Sequence, residues 1–103
     1  MEEPLGSNRG PRVDEYLGSV GIDPALGGQP WCAAFVYWCF ARAAADASVD
    51  NPVVRSASVL GQWAGAGRRG LRRLTREEAL ADPQSILPGC VFVISTGRGR
   101  GHM

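Results

Sequence analysis

Gln29-Pro30-Trp31-Cys32-Ala33-Ala34-Phe35-Val36-Tyr37-Trp38-Cys39 follows a Gly27-Gly28 pair and opens an apolar run that continues to Ala47. Cys32, Phe35, Val36, Cys39, Phe40 and Ala43 fall on one stripe at i, i+3, i+4, i+7 spacing, which predicts a helix over 31–47. Tyr37 and Trp38 lie off that stripe, so the first turns are apolar nearly all round and the helix is expected at the domain centre. Arg42 and Asp46, four apart, mark its wetter end. Cys32 stands where a Gly/Pro loop breaks into this helix. A helix N-terminus carries partial positive charge and free N–H groups, and both favour a thiolate.

Upstream, Ser7-Asn8-Arg9-Gly10 is loop chemistry. Pro11 suits a first helical position, and Val13, Tyr16, Leu17 and Val20 follow at helical spacing. They predict a helix over 11–20 stopped by Gly21. Downstream, Asn51-Pro52 breaks the chain. Ser56 or Ser58 caps a third helix over 56–65 carrying Ala57, Leu60, Trp63 and Ala64. Thr75 with Glu78 is a capping-box pattern for a short helix over 76–81, ended by Asp82-Pro83. Leu87-Pro88-Gly89 is a turn. Cys90-Val91-Phe92-Val93-Ile94 has the length and β-branched content of a buried strand. Ser95 to Gly101 is a Gly/Arg turn, and Gly101-His102-Met103 would begin the partner strand of a hairpin. Helices first and strands last predict an α+β layout rather than alternating βαβ units.

The composition fits one small globular domain: 103 residues, 45% apolar and 20% charged. The formal net charge of +1 gives no global field towards nucleic acid or membrane. All 11 basic residues are arginine. Arg68, Arg69, Arg72, Arg73 and Arg76 could form an anionic-polymer patch or a solvated Gly-rich loop. No aromatic residue interleaves them in sequence, so nucleic acid is not an expected partner. No run is long enough to span a bilayer, and Met1-Glu2-Glu3-Pro4 opens no signal peptide. Three cysteines cannot all pair with one another. Cys32 and Cys39 are two helical turns apart, and no C-x-x-C pair exists to nucleate a metal site, so neither a disulfide scaffold nor a metal is expected. Cys39 and Cys90 are expected to be small buried hydrophobes.

A cysteine nucleophile needs a general base within hydrogen-bond reach, usually histidine. The single histidine, His102, lies on the strand edge near the end of the chain. A cysteine at a helix start facing a histidine on an adjacent strand is the papain-like solution. A buried structural thiol and a solvated histidine are the plain alternatives.

The Gln29–Cys39 string resembles the nucleophile segment of CHAP domains, the cysteine, histidine-dependent amidohydrolase/peptidase family. Pro88-Gly89-Cys90-Val91-Phe92-Val93 is similar to their Pro-Gly strand, with Cys90 where an acidic residue is common. Gly101-His102 resembles the dipeptide that presents the catalytic histidine, and Asn8-Arg9-Gly10 with Tyr16 resembles the first helix of a subgroup. The resemblance runs through nearly the whole chain in the right order. It implies a papain-like α+β fold, with N-terminal helices packed on a small antiparallel sheet, and a cysteine hydrolase of amide bonds in peptidoglycan, without a cofactor. Cys32 would be the nucleophile, His102 the base and the Cys32 backbone N–H an oxyanion donor. Gln29 is a candidate second donor, or a plain loop residue. Trp31 and Asn8 are candidate substrate-binding residues, with core packing as the alternative for Trp31. The site of action implied is the cell wall or extracellular space. The family's later strands, which carry the residue orienting the histidine, have no counterpart here. The expectation is therefore of a domain with an incomplete sheet, weakly active or inactive as it stands. Two other classes stay open: a non-catalytic wall- or partner-binding module, and a cysteine peptidase or effector acting on protein.

Overall fold

α1, Pro11–Ser19, begins on a proline whose missing N–H is one that a helix start leaves unpaired anyway. Val13, Tyr16 and Leu17 form its buried face, as their spacing predicts. It ends one residue earlier than predicted, in a Schellman arrangement. Ile22 N–H donates to the Leu17 carbonyl and Gly21 N–H to that of Gly18. Gly21 takes φ +82°, which a side chain would resist. Outside the helix start, the Arg9 guanidinium pairs with Asp14 at 3.0 Å and holds its carboxyl below the usual range.

The computed structural model describes residues 2–103. After α1 come a 3-10 turn (Pro24–Leu26), α2 (Cys32–Ala47), α3 (Val59–Arg68), α4 (Arg76–Ala81), a second 3-10 turn (Pro83–Ser85), β1 (Ile94–Gly97) and β2 (Arg100–His102). The layout is α+β, four helices followed by one antiparallel hairpin.

The core lies between α1 and α2. Val13, Tyr16, Leu17 and Ala34 form its buried cluster, flanked by Val20, Ile22, Trp31, Phe35 and Trp38. Tyr16 is its hub, with ring centroids 5.0 Å from Phe35, 5.1 Å from Trp38 and 5.8 Å from Trp31. Aromatic pairs of this kind add about 0.5–1.5 kcal/mol each beyond area burial. The buried positions of α2 are Ala33, Ala34 and Ala44. The stripe predicted to be core is only half-buried, and Ala43 is exposed. Small side chains let the neighbouring helices approach. Of the larger residues, Cys32 and Val36 face a groove, and Phe35 lies between that groove and the core.

Ser58 caps α3 through its hydroxyl, which accepts the Gly61 N–H at 3.0 Å. α3 starts three residues later than predicted. Gln62, 4% exposed, ties it to α2 by donating to the Ala33 carbonyl at 2.8 Å. The α4 capping box forms as predicted, with both Thr75 and Glu78 bonds present. In the arginine-rich stretch, Arg73 stacks over Trp63 at 5.1 Å and Arg69 donates to the Asn51 carbonyl. Two of the five arginines therefore hold the fold.

The C-terminal segment departs most from expectation. The predicted buried strand over 90–94 is irregular until Ile94, and Phe92 and Ile94 are 65% and 51% exposed. Cys90 is exposed as well. An apolar run becomes a buried strand only where other layers cover it, and among the helices only α3 makes substantial contact with the hairpin. The turn is also tighter than predicted. Arg98 and Gly99 both take positive φ, and a bulge between Ser95 and Gly97 sets the register Ile94 to His102 and Ser95 to Gly101.

Candidate active site

Cys32 is the first residue of α2, and Trp31 precedes it as an N-cap without a side-chain cap bond. The first intrahelical bond runs from Phe35 N–H to the Trp31 carbonyl at 2.8 Å. The N–H groups of the opening turn therefore receive no side-chain acceptor, and no acidic residue stands among them. A developing oxyanion there would meet donors and the positive end of a 16-residue helix.

His102 is placed by the hairpin. β2 lies against α3, and the contact passes through Gly101. A Cβ at Gly101 would stand 2.8 Å from the Ile94 carbonyl oxygen and 2.9 Å from Val59 Cγ1. Gly101→Ala is therefore expected to lift the hairpin off α3, at a cost of about 1–3 kcal/mol. Because Cys32 sits on a different element, the α2 helix and its thiol should stay in place while any activity and any thiolate formation that depend on His102 fall. Equal activity in the two proteins would refute this account of how His102 is held.

Cys32, His102, Trp31 and Asn8 line a single groove of about 630 Å³. This lies within the range of small-molecule and peptide clefts. Pro30, Phe35, Val36, Val91, Phe92 and Met103 add a largely apolar wall. Cys32 is half-buried and His102 exposed. Among the described residues, no side chain hydrogen-bonds the His102 imidazole. Gln29 stands outside the groove lining, and its Nε2 donates to the Gly27 carbonyl at 3.3 Å. Asn8 takes φ +56° and donates through Nδ2 to the Gly28 carbonyl at 3.3 Å, fastening the loop that leads into Pro30.

Besides its apolar wall, the groove holds two residues with reactive or charged side chains that escaped the sequence reading. Cys90 was expected in the core but faces the groove. Glu2 accepts the Asn8 N–H at 2.8 Å and the Trp31 Nε1–H at 3.2 Å. No local pattern marks Glu2, whose partners lie six and 29 residues away.

The three thiols differ in setting. Burial pushes the Cys39 pKa up, whereas Cys32 and Cys90 open onto the groove. Near neutral pH, iodoacetamide is expected to modify Cys39 last, with the order read by peptide mass spectrometry. Early modification of Cys39 would contradict its burial.

Among the described residues, no three His, Cys, Asp or Glu side chains are grouped to hold a metal ion, and no helix is long and apolar enough to cross a membrane. A scan against protein-family models and searches of curated proteins and solved structures found no match to this chain.

Proposed function

We propose that the groove is the active site of a cysteine-nucleophile amide hydrolase acting on peptidoglycan, a CHAP-like domain on a papain-like scaffold. The observation that carries this reading is that the one histidine and the helix-start cysteine, far apart in sequence, line the same groove. His102 would take the Cys32 Sγ proton, and the thiolate would attack the carbonyl carbon of the substrate amide. The tetrahedral oxyanion would face the Cys32 N–H. As the C–N bond breaks, the imidazolium returns its proton to the leaving amine. Water then hydrolyses the thioester and frees the thiol. Gln29, engaged with Gly27, is left out of the donor set.

One observation favours a second reading. The imidazole has no orienting hydrogen bond among the described residues, and a base without a fixed tautomer is slow. A binding module that holds wall peptide without turnover fits that geometry. Digestion of purified cell walls decides between them. Slow release of new amine and carboxyl termini, detected by mass spectrometry, is expected for the hydrolase. Stoichiometric retention of muropeptide with no new termini would establish the module. Cleavage of casein in preference to walls would move the assignment to a protein-directed peptidase.

A further inference from the structure

The groove carries one carboxylate among its described lining residues, Glu2, and no arginine, although the chain has 11. Glu2 is fixed rather than free. Oε2 accepts the Asn8 N–H and Oε1 the Trp31 Nε1–H. The Asn8 amide, helped by the Trp31 indole and opposed by partial desolvation, holds this carboxyl below its usual range. The Gly6 backbone N–H and the positive N-terminus act on the same carboxylate in the same direction. Its two oxygens offer about four lone-pair directions, so acceptor capacity remains. Among the described residues, the arginine ion pairs, Arg9 with Asp14 and Arg12 with Glu15, do not involve Glu2. Trp31, Phe35 and Phe92 bring aromatic surface to the same groove. A carboxylate held by one indole, in a groove that other aromatic rings also line, is the chemistry that receives an organic cation.

We propose that Glu2, with the rings of Trp31 and Phe92, forms a subsite for a primary ammonium group on the peptide that the groove takes, so that an amine-bearing peptide is preferred over its acylated counterpart. This rests on the groove being the substrate site proposed above. Glu2 also fastens Trp31, the residue before the nucleophile, and a purely positioning role would affect every ligand alike.

The test measures binding by titration calorimetry and tryptophan fluorescence in the full chain carrying Cys32→Ala, with and without Glu2→Gln. The probes are a short N-acetylated synthetic peptide with one lysine and the same peptide with that lysine Nε-acetylated. The lysine peptide is expected to bind roughly tenfold tighter, as for one charge-assisted hydrogen bond. Glu2→Gln should erase the difference by weakening only the lysine peptide. Equal binding of the two peptides, an equal loss for both on Glu2→Gln, or no binding of either overturns the subsite. A retained lysine preference in a wild-type protein that hydrolyses neither walls nor peptide overturns the hydrolase assignment and supports the subsite.

Discussion

Cys32→Ala is expected to abolish amide hydrolysis, with a loss on the order of a thousandfold or more, while leaving the fold in place. The size follows from the chemistry. Without Sγ there is no thioester, and the remaining groove residues offer no replacement nucleophile aligned with the α2 N-terminus. Cys90 lines the same groove but sits in an irregular, exposed segment, away from the donors of a helix start. The structural cost should be small. Cys32 is half-buried and lies outside the cluster of Val13, Tyr16, Leu17 and Ala34. Alanine is also a better helix former than cysteine. Stability is expected to change by no more than about 0.5 kcal/mol. The measurement is product release from walls beside a thermal melt of each protein. Unchanged hydrolysis in a well-folded Cys32→Ala protein would end the nucleophile assignment. His102→Ala should cost less than Cys32→Ala, because an imidazole without an orienting partner contributes less to the rate it assists.

The elements fixed by local chemistry were legible in the sequence. Pro11 and Gly21 bound α1 because one lacks an N–H and the other accepts positive φ. Thr75 and Glu78 bound α4 because their bonds close within one turn. Legibility failed where the outcome depends on distant neighbours. Cys90-Val91-Phe92-Val93-Ile94 has the composition of a buried strand, but burial needs covering layers that the run itself does not encode. On α2 the larger side chains suggested a core stripe. The helix instead turns its alanines inward, gives Cys32 and Val36 to the groove and shares Phe35 between groove and core. Periodicity located the helix and misassigned its faces, because an apolar wall and a core share the same hydropathy. The site followed the same division. Cys32 and His102, singled out by residue type and position, both line the groove. Gln29 stood close to the nucleophile in sequence but turns its amide to Gly27, and Glu2 reaches the groove only through tertiary contacts.

The largest effect on stability is expected at Leu17. Among the described residues, the buried hydrophobic ones are Val13, Tyr16, Leu17, Ala33, Ala34, Ala44 and Val59, and three of these seven are alanine. Leu17 and Val13 are the largest side chains that are fully buried, so the core has little redundancy. Leu17→Ala removes the branched end from the α1–α2 contact and is expected to cost about 3 kcal/mol, the middle of the range for leucine truncation in cores. Domains of this size have net stabilities of roughly 5–15 kcal/mol, so the loss is a large fraction of the total. The melting midpoint should fall by roughly 10–20 °C. The backbone has no reason to change, because the Leu17 carbonyl still accepts the Ile22 N–H and alanine favours helix. The effect is therefore one of packing, and it should spread through Tyr16 to Trp31, blurring near-ultraviolet dichroism before secondary structure is lost. Leu80→Ala, at an exposed α4 position, provides the contrast and should leave the midpoint nearly unchanged. A Leu17→Ala midpoint within a few degrees of wild type would mean that the α1–α2 contact is not where the domain's stability resides, and the aromatic hub on Tyr16 could not then be what holds Trp31 and Cys32 at the groove.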